Sequence, residues 1–341
     1  MKDRPRYGEF FWKAATLAAA VACSIAIIAL APVKYGYHFA SIIDKYEIVR
    51  REATLPKPLI VFTGGSGLWC GLDSSLVSAK TGYNVANTGL YREFGLIFIP
   101  REALALLRKG DVIVIVPEYH ILYESTIYPV PRVRKWLLAM SPTHALKDLY
   151  SGWADAGALL NDVASLCQYK IVGLVRALSL PPFENPFGKG YVNYSKKTDR
   201  LGDGFAMEFP RLSKENMMNF GSVFPGQLDP EIYRKLNELA AAAKAKGVVV
   251  FFSFPAIPTG EYEHNRAQLD TLCALLKQRL DMPVIGSPSD FTLGYDHFTD
   301  SIYHLDDEGK IIRTRKLTRL IQEQLRQPVV SRYSSLPAPV R

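Results

Sequence analysis

Leu59-Ile60-Val61-Phe62-Thr63-Gly64-Gly65-Ser66-Gly67 is a short apolar run that stops at two glycines, a serine and a third glycine. It reads as a buried strand whose C-terminal end delivers one hydroxyl into a tight turn. Polar residues and the start of a helix follow at Asp73-Ser74-Ser75-Leu76-Val77. In open α/β sheets, ligands bind outside the carboxyl ends of the strands, where helix N-termini offer free N–H groups. Ser66 at such an end is a candidate nucleophile. Taken alone, the stretch also fits a Gly-Ser turn that only reverses the chain.

Outward from this stretch, strands and helices alternate. A second short strand is expected around Tyr83–Ala86, ending in Asn87-Thr88-Gly89-Leu90, and an amphipathic helix over Ile97–Arg108 stops at Lys109-Gly110. Asp111-Val-Ile-Val-Ile-Val-Pro117 is a continuous β-branched run, the mark of a strand covered on both faces. Residues 120–225 break the rhythm with helical pieces (Val133–Met140, Ala154–Ser165) and a Pro/Gly-rich stretch from Pro181 to Gly188. This reads as an insertion or cap, the kind of element that shapes access to a site. A helix at Pro230–Ala245, a strand at Gly247–Ser253, a helix near Arg266–Leu280 and a short strand at Pro283–Gly286 resume the pattern. A last helix runs over about Asp307–Arg326, and the proline-containing tail, residues 327–341, reads as disordered. The fold class is therefore α/β: a three-layer α/β/α sandwich on a parallel sheet of about five strands, flavodoxin-like in class.

The chain has 341 residues, 48% of them hydrophobic, enough to bury a large core as one domain or two. Ala14–Val33 is twenty residues without a charge, which as a helix spans about 30 Å, the thickness of a bilayer core. Lys2, Arg4, Arg6 and Lys13 precede it, as on a cytoplasmic flank, while Lys34, Lys45, Arg50 and Arg51 follow it. Residues 1–13 thus read as a cytoplasmic N-terminus, 14–33 as a transmembrane anchor, 34–58 as a connecting helix or linker, and 59–326 as the folded domain. A cleaved signal peptide is the rival reading. Its best site, Ala29-Leu30-Ala31, is followed by Pro32, and a lipoprotein-style cut before Cys23 has only Ala20-Val21-Ala22 in support. The formal charge of +8 suits proximity to a membrane or an acidic polymer, or else is a diffuse surface feature, and no basic run with interleaved aromatics suggests nucleic acid. Cys23, Cys70, Cys167 and Cys273 have no short spacing, against a disulfide scaffold or zinc site, and whether a pair forms stays open. No metal cluster is recognisable, and Gly64-Gly65-Ser66-Gly67 lacks the lysine of a phosphate-binding loop, so no cofactor is expected.

Near the C-terminus stands Phe298-Thr299-Asp300-Ser301-Ile302-Tyr303-His304-Leu305-Asp306-Asp307-Glu308-Gly309, a loop just before the last helix. An Asp and a His this close can hydrogen-bond, the carboxylate fixing the imidazole tautomer. A serine at another strand end of the same sheet completes the parts of a relay, because a serine hydroxyl needs a base to take its proton. Alone, His304 also fits a surface histidine, and Asp306-Asp307-Glu308 fits the acidic first turn of a helix. Gly-x-Ser-x-Gly elbow geometry is excluded, since Leu68 stands at the last glycine position.

From Leu59 to Leu325 the chain resembles the SGNH (GDSL-like) hydrolase superfamily. It is most similar to the membrane-anchored, exported branch that includes the D-alanyl transfer protein and the polysaccharide O-acetylation proteins. The resemblance rests on the N-terminal anchor, Thr63-Gly64-Gly65-Ser66, Asn87-Thr88-Gly89-Leu90, and Asp300 to Leu305 continuing to Gly309 and Arg313-Thr314. It implies Ser66 as nucleophile, His304 as general base, Asp300 as its orienting partner, and the N–H groups of Ser66 and Gly89 as oxyanion donors. Two features depart from the pattern. Pro117-Glu118-Tyr119-His120 stands where the superfamily often places an oxyanion Asn, and a carboxylate donates no hydrogen bond unless protonated. The Asp-to-His interval is four residues rather than three, which makes Asp296 a second candidate for the orienting role. The implied function is a serine acyltransferase or esterase on a cell-envelope polysaccharide, single-pass in a bacterial inner membrane with the catalytic domain on the extracytoplasmic side. Its expected partners are a glycan or acyl donor and a membrane-embedded acyl-transfer or polysaccharide export component. A non-catalytic assembly subunit of the same fold, and a lipase or thioesterase, are the competing readings.

Overall fold

The computed structural model describes residues 7–30, 37–123, 127–150, 155–178, 198–204 and 228–327. In chain order these form α1 (Tyr7–Leu30), α2 (Tyr37–Ala53), β1 (Leu59–Gly64), α3 (Ser66–Cys70), α4 (Ser74–Thr81), β2 (Asn84–Asn87), α5 (Phe98–Leu106), β3 (Val112–Val116), α6 (Tyr119–Tyr123), α7 (Pro131–Met140), α8 (Pro142–Leu149) and α9 (Ala156–Leu178). There follow α10 (Pro230–Lys246), β4 (Val249–Phe252), β5 (Ile257–Pro258), α11 (Thr259–His264), α12 (Arg266–Arg279), β6 (Thr292–Leu293) and α13 (Asp307–Arg326). Two compact units result: Met1–Phe39 with Pro131–Tyr191, and Ala40–Val130 with Val192–Arg341.

The second unit is α/β. Its four-stranded sheet has the order β2-β1-β3-β4 with every pair parallel, and β5 and β6 form a separate two-stranded parallel sheet. β3, read from its β-branched run as doubly covered, is buried from Val112 to Val116. Val77 of α4, Leu104 of α5, Leu236 of α10, Leu272 of α12 and Leu317 of α13 join the strands in one hydrophobic core. Local signals set the helix ends. Asp73 caps α4 by accepting from Leu76 N, Asp306 caps α13 by accepting from Gly309 N, and Gly247 closes α10 at φ +74°.

One expectation needs correction here. The sheet has four strands, not about five: Pro283–Gly286 makes only an isolated bridge, Phe252 to Val284, because the segment leaves β4 after a single pairing. Within the stretch read as a connecting helix or linker stands α2, whose Ile42, Lys45 and Val49 are buried.

The first unit gathers α1 with α7, α8 and α9. Trp136 packs edge-on against Tyr169 with ring centroids 4.7 Å apart, and Tyr150 donates to Asp162 at 2.6 Å. α1 exposes Phe10, Phe11, Trp12 and Leu17. It carries the apolar run from Ala14 to Leu30, with side chains described as far as Ser24. Among the described residues no helix is long and apolar enough to cross a membrane. Residues 31–33 of the expected anchor, the Pro181–Gly188 stretch and the tail from Pro328 lie outside the described residues.

One buried carboxylate sets the start of the sheet. Asp111, ahead of β3, accepts from Leu59 N at 2.8 Å through Oδ1 and from Arg108 N at 2.8 Å through Oδ2. It thereby ties the first residue of β1 to the turn that begins β3. Removing it leaves the buried Leu59 N–H unsatisfied, at a cost of roughly 1–3 kcal/mol, and frees the part-buried Arg108 N–H. We expect Asp111→Ala to lower the denaturation midpoint by a few kcal/mol equivalent, measured by urea unfolding, with secondary structure unchanged by circular dichroism below the transition.

Candidate active site

Because β1, β2 and β3 run parallel, their carboxyl ends share one edge, and the residues following each strand meet there. In register, Phe62 faces Asn87 and Gly64 faces Val116. The strands approach so closely at the second pair that a Cβ on residue 64 would stand 2.0 Å from the Val116 carbonyl oxygen, which restricts the position to glycine. Gly65 is the extended residue before α3, and Ser66 is the first residue of that helix, where no intrahelical acceptor exists for its N–H.

The other half of the site comes from the C-terminal loop. Thr299 N donates to His304 O at 2.9 Å, His304 N donates to Ser301 O at 3.2 Å, and Phe298 bridges to Leu305. This closure folds the five residues between Thr299 and Leu305 tightly enough that a four-residue interval brings Asp300 against His304. Asp300 Oδ1 lies 2.8 Å from His304 Nδ1, and His304 Nε2 lies 2.8 Å from Ser66 Oγ. Asp296, the alternative orienting residue, instead lies in a short turn with its carboxylate beside Gly294. Burial pushes the Asp300 carboxyl up, but the hydrogen bond from His304 and its charge prevail and hold it below the ordinary aspartate value. An ionised Asp300 keeps the imidazole proton on Nδ1 and leaves Nε2 as the acceptor facing the serine.

The oxyanion side differs from expectation. The Ser66 N–H keeps its place at the turn, but the Gly89 N–H donates to Asn87 Oδ1 at 2.8 Å, so Gly89 is not an available donor. The Asn87 amide is in turn held by Leu68 O at 3.2 Å and Asp203 Oδ1 at 2.8 Å. Glu118 enters the space beside the nucleophile. Its Oε1 lies 3.1 Å from Ser66 Oγ and accepts from Gly67 N at 2.5 Å, and its Oε2 lies 3.3 Å from His120 Nε2. A Cβ on Gly65 would stand 2.5–2.7 Å from the Glu118 carboxylate, so this second glycine is the room the carboxylate occupies.

Behind Asn87 lies a buried polar network. Asp203 accepts from Ser74 N at 2.5 Å and Ser74 Oγ at 2.7 Å, while Lys45, 2% exposed, donates to Asn87 O at 2.8 Å and to Gly202 O. Burial lowers Lys45 to about 7, partly opposed by the charge of Asp203, and burial raises Asp203 to about 6. From α13, Arg313 Nη1 donates to Gly71 O at 2.7 Å and Thr314 Oγ1 accepts from Asp73 N at 3.0 Å, so the last helix braces both ends of the α3–α4 turn.

Sequence reasoning named Ser66, His304 and Asp300, and the structure brings these together. It passed over Glu118 as a site residue, although Gly65 and Gly67 on either side of the serine signal space for a neighbour. Lys45 and Asp203 carried no local signal, being 158 positions apart and joined only through the fold. Among the described residues no group of His, Cys, Asp or Glu is placed to hold a metal ion, and the four cysteines form no disulfide there. No protein-family model and no curated protein matches the chain.

Two outcomes are expected. Asp300→Asn should lower the rate of Ser66 modification by up to about 10⁴-fold, through loss of the reactive tautomer, with the fold retained by circular dichroism. Lys45 is neutral in the folded state above about 7 but holds its proton when unfolded up to its ordinary value of 10.5, so its contribution to stability rises with pH in that window. Unfolding free energies at pH 7 and 8.5 should therefore rise more in the wild type than in Lys45→Met, by up to about 1.4 kcal/mol per pH unit.

Proposed function

We propose that the chain is a serine acyltransferase or esterase of the SGNH type, anchored at the inner membrane of a bacterial cell and acting outside the cytoplasm on a cell-envelope polysaccharide. The observation that carries this reading is the alignment of Ser66 Oγ, His304 and Asp300, with both contacts at 2.8 Å. Supporting it are the parallel α/β sheet with Ser66 after its first strand in the chain, and the placement of the pair before the last helix. We read the sheet and its helices as the three-layer SGNH sandwich. The uncharged run at Ala14–Val33 and the exposed aromatic residues of α1 support an anchor beside the polymer being exported.

In this reading, Ser66 Oγ bonds to the acyl carbon of the donor as its proton passes to His304 Nε2. The carbonyl pair becomes an oxyanion, stabilised by the Ser66 N–H at the start of α3. His304 then gives that proton to the departing group, leaving the acyl group on Ser66. A sugar hydroxyl or water attacks next. Its proton goes to His304, the tetrahedral centre collapses, and Ser66 leaves with the proton returned. Asp300 stays ionised throughout and holds the imidazole in place. The acyl group is acetyl in our reading, and the partners are the glycan, the acyl donor and a membrane-embedded transfer or export component.

The commitment of the Gly89 N–H to Asn87 favours a second reading, a non-catalytic assembly subunit with the same fold. Labelling by a serine-directed fluorophosphonate separates the two. Stoichiometric modification of Ser66, lost in Ser66→Ala and reduced about 10⁴-fold or more in His304→Ala, is expected of the enzyme. Absence of label, together with unchanged glycan acylation in cells carrying Ser66→Ala, would overturn it.

A further inference from the structure

Ser66 has one hydroxyl proton and two neighbours that both accept. Its Oγ lies 2.8 Å from His304 Nε2 and 3.1 Å from Glu118 Oε1. With a neutral imidazole protonated at Nδ1 and an ionised carboxylate, one of these contacts sets lone pair against lone pair. Both become hydrogen bonds when the group holds one further proton. That proton sits either on His304, with Nε2–H donating to Oγ and Oγ–H donating to Glu118, or on Glu118, with Oε1–H donating to Oγ and Oγ–H donating to His304.

We propose that Glu118 is a catalytic carboxylic acid that shares one proton with His304 across the Ser66 hydroxyl and presents it to the developing oxyanion. The inference rests on the serine-nucleophile reading and adds a residue to it. Glu118 is 3% exposed and enclosed by the nucleophile's own turn, with Gly65 and Gly67 leaving room for it and the Gly67 N–H bound to Oε1. Around it stand His120 on α6, Cys70 at the end of α3, and Tyr303, His304 and Asp300 on the C-terminal loop. Burial raises the Cys70 thiol and the Tyr303 hydroxyl, so neither brings a charge. Asp300 is committed to Nδ1, on the far side of the ring from Glu118. A protonated acid placed this way donates a hydrogen bond that a carboxylate cannot. In the step itself, Oγ bonds to the acyl carbon, its proton moves to His304 Nε2, and the new oxyanion takes the hydrogen bond from Glu118 Oε1–H. Glu118 retains its proton.

The test compares the wild type with Glu118→Gln, whose amide is a permanent donor of nearly the same shape. First, the His304 ring is titrated by NMR, which requires no turnover. Removing the shared site should move the loss of the His304 proton to lower pH by about one unit or more, and Ser66→Ala, which removes the bridging hydroxyl, should move it in the same direction. Second, the rate of fluorophosphonate labelling is followed against pH; here Oγ bonds to phosphorus, fluoride leaves, and the hydroxyl proton goes to His304. The wild-type rate should fall at alkaline pH as the shared proton is lost, whereas Glu118→Gln should hold its plateau and exceed the wild type about tenfold at pH 9. Identical His304 titrations in all three proteins, or labelling slower in Glu118→Gln by the same factor at every pH, would overturn the proposal. If the titrations differ as expected while Ser66 takes no label in either protein, acyl transfer fails as the function and the shared proton stands.

Discussion

The carbonyl oxygen of Val116 occupies the position a side chain on residue 64 would need, and the site is organised around that approach. β1 and β3 reach this closeness because they pair in parallel to their last residues, Gly64 against Val116. Parallel pairing puts both exits on the same edge of the sheet, so the turn after β1 and the turn after β3 compete for one volume. The competition is resolved by residue size. The first turn is built of Gly65, Ser66 and Gly67, and the second sends Glu118 into the space they leave. A side chain on Gly65 would displace the carboxylate, and one on Gly67 would press on Tyr303 and on Glu118 Oε1.

Much of this was legible in the chain itself. Continuous β-branched runs such as Val112–Val116 announce strands covered on both faces, and alternation with helices leaves a parallel sheet as the arrangement that buries them. The triad was legible for a different reason: an Asp and a His before a last helix, with a serine after a first strand, are parts that a parallel topology gathers at one edge. What could not be read were contacts made by tertiary closure. The resemblance made Gly89 an oxyanion donor, yet Asn87, two residues back, takes its N–H. The four-residue interval from Asp300 to His304 looked irregular until the Thr299–His304 hydrogen bond tightened the loop. Pro283–Gly286 has the composition of a strand but pairs with Phe252 only once, which composition does not record.

The buried polar network behind the site follows a related logic. Lys45 on α2, Ser74 on α4, Asn87 at the end of β2 and Asp203 come from four separate stretches and satisfy one another in a place where water would otherwise be needed. Burying an amine and a carboxyl costs free energy, visible in the opposite displacement of Lys45 and Asp203 from their ordinary values. In return each Asn87 amide atom has a partner, which fixes which way the amide faces and closes the back of the nucleophile's helix through Leu68. Stability and site geometry are coupled through this one asparagine.

The brace supplied by α13 bears on how such a chain is made. Ser66 is synthesised early, whereas Asp300, His304 and the two side chains that hold the α3–α4 turn, Arg313 and Thr314, lie 234 to 248 positions later. A growing chain folds its N-terminal portions first, and contacts of such wide separation close last. The hydroxyl therefore has neither its base nor its supporting helix until the chain has been made through Thr314. The contact between Ser66 and His304 is thus among the last that folding can make.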